Sequence, residues 1–235
     1  MNDPQKNRSV GVIFDLDGTL IDTLEDLTDS MNEVFDRNAL PRLTLSRTRA
    51  IIGEGLRDLI YRASGVEDEN RQGDLVEQYR AVYRGRMLAK TRVYAGVPEM
   101  LDALTRLGVP MAVLSNKSDE FAVPICKALL SAWPFVRFRG SRDAADRKPD
   151  PTTALELAEV MGTPSEQVVF VGDSSVDIET ARNAGMTSIA VTWGYRDREE
   201  LEKAGPDRIV SVPREIAEWV ERRTAPPRGA RRATR

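Results

Sequence analysis

Asp15 and Asp17 are the residues around which chemistry can be built. They close the apolar run Val10-Gly11-Val12-Ile13-Phe14, which has the character of a buried parallel strand, and Gly18 and Thr19 follow them. Residues two apart on an extended chain point the same way, so both carboxylates would stand together beyond the carboxyl end of the strand. Open α/β sheets bind their ligands at that edge. Crowded carboxylates repel unless a proton or a metal ion separates them, which suits a nucleophile paired with a general acid. The plain alternative is a solvated strand end with Asp17-Gly18-Thr19 serving as a turn.

Three later segments complement this one. Ala112-Val113-Leu114 runs into Ser115-Asn116-Lys117, whose hydroxyl and amide could each hydrogen-bond a phosphoryl oxygen. Arg147-Lys148-Pro149-Asp150-Pro151 uses two prolines to fix the backbone beside a lysine, although an isolated Lys-Pro reads more simply as a solvated loop. Val168-Val169-Phe170-Val171 stops at Gly172-Asp173-Ser174-Ser175-Val176-Asp177. A helix starting between Asp173 and Asp177 would turn both carboxylates toward one spot, and oxygen ligands of that kind suit Mg²⁺. A helix cap by Asp173 or Ser174 is the simpler alternative.

The elements that must position these groups follow from periodicity. Helical spacing covers Leu24, Leu27, Met31, Val34 and Phe35, then stretches around 45–52, 56–63 and 75–87, with no convincing strand from about 22 to 92. An insertion of this size reads as a small bundle or lid, or else as ordinary packing helices; periodicity does not separate the two. Beyond Gly96-Val97-Pro98, strands expected at 109–114, 135–138, 168–171, 188–192 and 208–210 alternate with helices at 97–107, 120–130, 151–161, 175–184 and 216–220. Such alternation predicts a parallel sheet covered on both faces.

Composition narrows the chemistry further. The 235 residues contain no histidine, which excludes histidine triads and histidine zinc sites, so acid-base work falls to carboxylates, lysine or tyrosine. One cysteine, Cys126, permits no intrachain disulfide and fits a reducing compartment. A net charge of −3 argues against a nucleic-acid partner. Polar residues 1–8 and the lack of a long apolar run predict a cytoplasmic protein with no membrane partner. Arg222, Arg223, Arg228, Arg231, Arg232 and Arg235 among Pro, Ala and Gly predict a disordered basic tail over 221–235.

The four segments in this order resemble the haloacid dehalogenase superfamily of hydrolases, in particular its phosphoglycolate phosphatase type. Thr192-Trp193-Gly194-Tyr195 and Arg182-Asn183-Ala184-Gly185 add to the likeness, which spans Val10 to about Val220. The resemblance implies a Rossmann-like, doubly wound parallel α/β core (1–21 and 93–220) with an inserted all-helical cap domain (22–92). It further implies that Asp15 is a nucleophile forming an aspartyl-phosphate and that Asp17 is the general acid and base. Mg²⁺ would be held by the Asp15 carboxylate, the Asp17 carbonyl and Asp173, with Asp177 in support. Thr19, Ser115, Asn116 and Lys148 would bind the phosphoryl group of a small-molecule phosphomonoester, in a monomer or homodimer.

Departures within the superfamily favour hydrolysis. Dehalogenases lack the second aspartate, phosphonatases use a cap lysine that is missing between Lys6 and Lys90, and mutases use a cap histidine with Gly-x-Ser-Arg where this chain has Gly53-Glu54-Gly55-Leu56. A small phosphorylated acid such as 2-phosphoglycolate leads as substrate over pyrophosphate, a sugar phosphate or a nucleoside monophosphate. A non-catalytic binding or regulatory module is the alternative from another class. In the insertion, Gly53 and Gly55 would let the loop approach substrate, and Arg57 is a candidate for a substrate carboxylate, or else a solvated helix-end arginine.

Overall fold

The computed structural model describes residues 10–143 and 145–224. β1 (Gly11–Phe14) leads through a tight turn into the two-residue β2 (Ile21–Asp22). Helices α1 (Leu24–Arg37), α2 (Leu45–Ile51), α3 (Leu56–Ser64) and α4 (Glu69–Arg86) follow before β3 (Arg92–Val93) returns antiparallel to β2, pairing Asp22 with Arg92. The rest alternates: α5 (Val97–Arg106), β4 (Met111–Ser118), α6 (Asp119–Leu129), β5 (Phe135–Ser141), α7 (Thr152–Val160), β6 (Val168–Gly172), α8 (Ser175–Asn183), β7 (Thr187–Val191), α9 (Arg198–Ala204), β8 (Arg208–Val210) and α10 (Arg214–Thr224).

Six strands form one parallel sheet in the order β5-β4-β1-β6-β7-β8. Its two faces are both apolar. Val12, Phe14, Val113, Val169 and Val171 pack on one side, while Ile13, Ala112, Leu114, Val168 and Phe170 pack on the other. Each large apolar side chain buried in this way contributes about 1.5–3 kcal/mol, so the central strands are held in register by their bodies and their polar tips are free to carry chemistry. The chain leaves β1 toward β4 and β5, then comes back to β6 on its other side, and the crevice at such a reversal is where α/β sheets take ligands. Phe14 is level with Val113 and with Val171, which brings the residues after them to a common edge.

The helical segment closes over that edge. Leu27, Met31, Val34 and Phe35 of α1 share an apolar cluster with Leu75, Tyr79 and Tyr83 of α4. Its two ends are tied by the buried Asp26, whose Oδ2 accepts from the Lys90 and Thr91 amides and the Thr91 hydroxyl at 2.8–2.9 Å.

Several boundaries differ from expectation. β4 continues through Ser118, so Ser115, Asn116 and Lys117 lie in the strand itself. The β2–β3 pair stands where no strand was expected, because two residues are too few to show alternation. α9 has only Leu201 buried and so lacks an apolar stripe. α10 runs to Thr224, which takes Arg222 and Arg223 out of the predicted tail; residues 225–235 and the N-terminal 1–9 lie outside the described residues. Among the described residues no helix is long and apolar enough to cross a membrane.

Candidate active site

Three carboxylates meet at the edge where β1 and β6 end. Asp15, Asp173 and Asp177 are all buried and offer oxygens within 4.8 Å of one another. Asp15 leaves β1 directly, and its amide donates to the Val171 carbonyl at 2.8 Å, which fixes it against β6. Asp173 and Asp177 flank the start of α8, the arrangement predicted from their spacing. The approach is close enough that a Cβ on Gly172 would lie 2.2 Å from Asp177 Cγ and one on Gly18 2.4 Å from Asp173 Oδ2. Glycine at both places is therefore a condition of the cluster.

Lys148 balances the charge. Its Nζ lies 2.8 Å from Asp15 Oδ1 and 2.7 Å from Asp177 Oδ1, with the side chain 3% exposed, and so it is no solvated loop lysine. Asp177 is fully engaged: Oδ1 accepts from Lys148 and Oδ2 from the Ser174 amide and hydroxyl at 3.0 and 2.6 Å. Burial pushes Asp15 up to about 8, with the Asp177 and Asp173 charges adding to the rise and Lys148 opposing it. Burial, then Asp177, likewise raises Asp173 to about 7. Burial alone would lower Lys148, but Asp15 and Asp177 outweigh it and hold the ammonium above its ordinary value. Such crowding of hard oxygen donors fits a divalent cation of the Mg²⁺ type, and Asp15 and Asp173 have the spare oxygen capacity to hold one.

Asp17 stands apart from this cluster. Oδ1 accepts from Thr23 Oγ1 at 2.8 Å, and Lys117 Nζ lies 3.2 and 3.1 Å from its two oxygens. Thr23 is held in turn by Tyr195, whose hydroxyl accepts from the Thr23 amide at 2.9 Å while its own amide donates to Asp173 Oδ2 at 2.6 Å. The loop after β7 therefore links the two acidic centres.

Other expected site residues fall into different places. Ser115 and Gly53 line the cavity with Asp15, Asp17 and Lys148. Thr19 was expected at the phosphoryl group, but its hydroxyl donates to Asp173 Oδ1 at 3.3 Å, so it orients a carboxylate. Asn116 also lines the cavity, yet its amide is spent on backbone: Nδ2 donates to the Gly53 and Lys148 carbonyls, and Oδ1 accepts from the Lys148 amide at 2.8 Å. It positions Lys148 and does not offer a free phosphoryl donor. Arg57 is exposed and does not line the cavity, because Leu56, Leu59 and Ile60 set the inward face of α3. Arg196 lines it instead, tied to the Arg49 and Ile52 carbonyls at 2.7 and 2.5 Å. Lys117, Tyr79 and Tyr83 were not anticipated as site residues. Lys117 closes the same Ser115-Asn116-Lys117 run that the sequence singled out, and the irregular register of β4 between Leu114 and Ser118 brings it to the cavity with them.

The cavity holds about 70 Å³, against the roughly 10–15 Å³ needed for a single water.

Residues 12–191 match the family model described as haloacid dehalogenase-like hydrolase. A phosphoglycolate phosphatase of Agrobacterium fabrum is 38% identical over 202 residues, covering 84% of this chain and 86% of its own. Another, from Chromobacterium violaceum, is 35% identical and covers 87% and 93%. Among solved structures, a predicted phosphoglycolate phosphatase from Haemophilus somnus superposes with a TM-score of 0.84 at 29% identity, over 90% of this chain and 98% of that one.

Proposed function

The chain belongs to the haloacid dehalogenase-like hydrolases and is an enzyme of their phosphatase type, and we propose that it hydrolyses a small phosphorylated acid such as 2-phosphoglycolate through an aspartyl-phosphate. The observation that carries the reading is the buried set Asp15, Lys148, Asp173 and Asp177, with Asp17 a short step away at the same strand end. Mg²⁺, when bound by the Asp15 and Asp173 carboxylates and the Asp17 carbonyl, supplies positive charge that keeps Asp15 ionised and offsets the charge of the phosphoryl oxygens.

The chain's own groups account for the bond changes. Asp15 attacks phosphorus and forms the acyl-phosphate bond as the bond to the substrate oxygen breaks, while Asp17 gives that oxygen its proton. Asp17 then takes a proton from water, whose oxygen attacks phosphorus, releasing inorganic phosphate and restoring the Asp15 carboxylate. Lys148 and Ser115 hold the phosphoryl oxygens, and Asp177 keeps Lys148 in place. Asp17 must turn from Lys117 and Thr23 to reach the leaving oxygen.

The segment 22–92 acts as a cap that selects substrate, with the hinge at Tyr94-Ala95-Gly96, where Gly96 has a φ of 82°. The likeness to phosphoglycolate phosphatases and the small cavity favour a short acid over nucleoside monophosphates. A non-catalytic module would not need Asp15, Asp17, Lys148 and Asp173 all in place. Phosphate release by purified protein and Mg²⁺ across a phosphomonoester panel tests the reading. Highest kcat/KM on 2-phosphoglycolate is expected, and no release from any ester would overturn it.

A further inference from the structure

The tyrosine pair on α4 carries hydroxyls for which the fold has no use. Tyr79 and Tyr83 are one helical turn apart, their rings stacked with centroids 5.3 Å apart, and both line the cavity. They are 1% and 0% exposed, yet among the described residues neither hydroxyl has a hydrogen-bond partner. Phenylalanine would fill the same space without an unpaired donor, so packing alone does not account for tyrosine here. Lys117 Nζ lies 5.0 Å from the Tyr83 ring centre and contacts Asp17. The register of β4 against β5 is irregular between Leu114 and Ser118, and Ser115, Asn116, Lys117 and Ser118 all line the cavity, so the lysine follows the phosphoryl position along the cavity wall.

We infer that Lys117, Tyr79 and Tyr83 form the subsite for a carboxylate carried by the leaving group. All three offer donors and a carboxylate only accepts, which matches the group's capacity to the set. Lys117 exchanges Asp17 for the substrate, and Asp17 is left on Thr23 alone, free to turn toward the leaving oxygen. This assignment rests on the small-acid reading above and gives to Lys117 the task that the sequence suggested for Arg57.

The test compares kcat/KM on 2-phosphoglycolate with that on ethyl phosphate, which keeps the chain length and lacks the carboxylate. Lys117→Gln, Tyr79→Phe and Tyr83→Phe should each lower the ratio of the two by about tenfold or more, as expected for a lost hydrogen bond to a charged group. Both phenylalanine variants should melt at or above the wild-type temperature, so a folding defect would not mask the result. Wild-type preference for 2-phosphoglycolate that survives in all three variants overturns the subsite and leaves the small-acid reading intact. A wild type with no such preference overturns both.

Discussion

One ammonium stands against three carboxylates, and that imbalance governs what single substitutions do. Asp15→Asn removes a charge that burial and its neighbours already oppose, so the variant should keep or raise the melting temperature while turnover disappears. Lys148→Met does the opposite, leaving Asp15 and Asp177 without their cation, and a chemical-denaturation curve should show a loss of about 3–5 kcal/mol with activity gone as well. Asp17→Asn should keep the fold and slow turnover about 10²- to 10⁴-fold, the usual cost of a lost general acid-base. The cluster also links stability to pH and metal. Asp15 binds a proton more tightly in the fold than at its ordinary value of 3.8, so metal-free protein loses stability as pH rises from about 4 to about 8. Mg²⁺ at about a hundredfold excess over its Kd should restore about 2.7 kcal/mol, and the metal, displacing protons, should bind more tightly at pH 8 than at pH 6. Melting curves with Mg²⁺ and with EDTA check both signs; an EDTA-treated protein with full activity would exclude the metal. These carboxylates were legible because apolar runs end on them. Lys117 hid as the last letter of a strand end, and Tyr79 and Tyr83 hid because an aromatic pair at i, i+4 reads as core.

Elements place these residues, and the joint between α2 and the loop after β7 is the one most open to test. Arg49 donates to the Tyr195 and Gly194 carbonyls at 2.7 and 3.0 Å, and Arg196 donates back to the Arg49 and Ile52 carbonyls. Four charge-assisted bonds to backbone thus hold the helical segment against the loop that orients Asp173 through the Tyr195 amide. Arg49→Ala should loosen closure without touching the carboxylates: faster amide hydrogen exchange over 48–55 and a KM that rises more than kcat falls. Unchanged exchange there would mean that the joint does not hold the segment closed. The parallel strands were readable from apolar runs and the first helices from their stripes. This joint was not, since arginine-to-carbonyl bonds leave no periodic mark. For Arg57 the sequence left two readings open, a substrate contact or a solvated helix end, and its exposure follows the second, because the helix phase set by Leu56, Leu59 and Ile60 decides which way an arginine faces.

At the scale of the whole molecule, the helical segment and the sheet share their interior. One apolar cluster runs from Val12, Phe14 and Val113 in the sheet through Leu16, Leu20 and Leu27 to Leu75 and Tyr83 in α4. Tyr83 meets Phe121 of α6 edge-on at 5.0 Å, and Arg80 and Arg84 reach Glu120 beside it. An insertion that folded by itself would keep its apolar groups to itself and meet its host through polar contacts. Here the first strand, the turn carrying Asp15 and Asp17, and α1 contribute to one interior, so loss of the helices would expose part of the sheet face. Calorimetry should therefore show a single transition whose calorimetric and van't Hoff enthalpies agree, in EDTA and in Mg²⁺ alike. The cap opening proposed above would then be a hinge motion that uncovers the Tyr83–Phe121 seam within an intact fold. Two resolved transitions, with the first insensitive to Mg²⁺, would instead make α1 to α4 an independent folding unit that rests on the sheet without sharing its core.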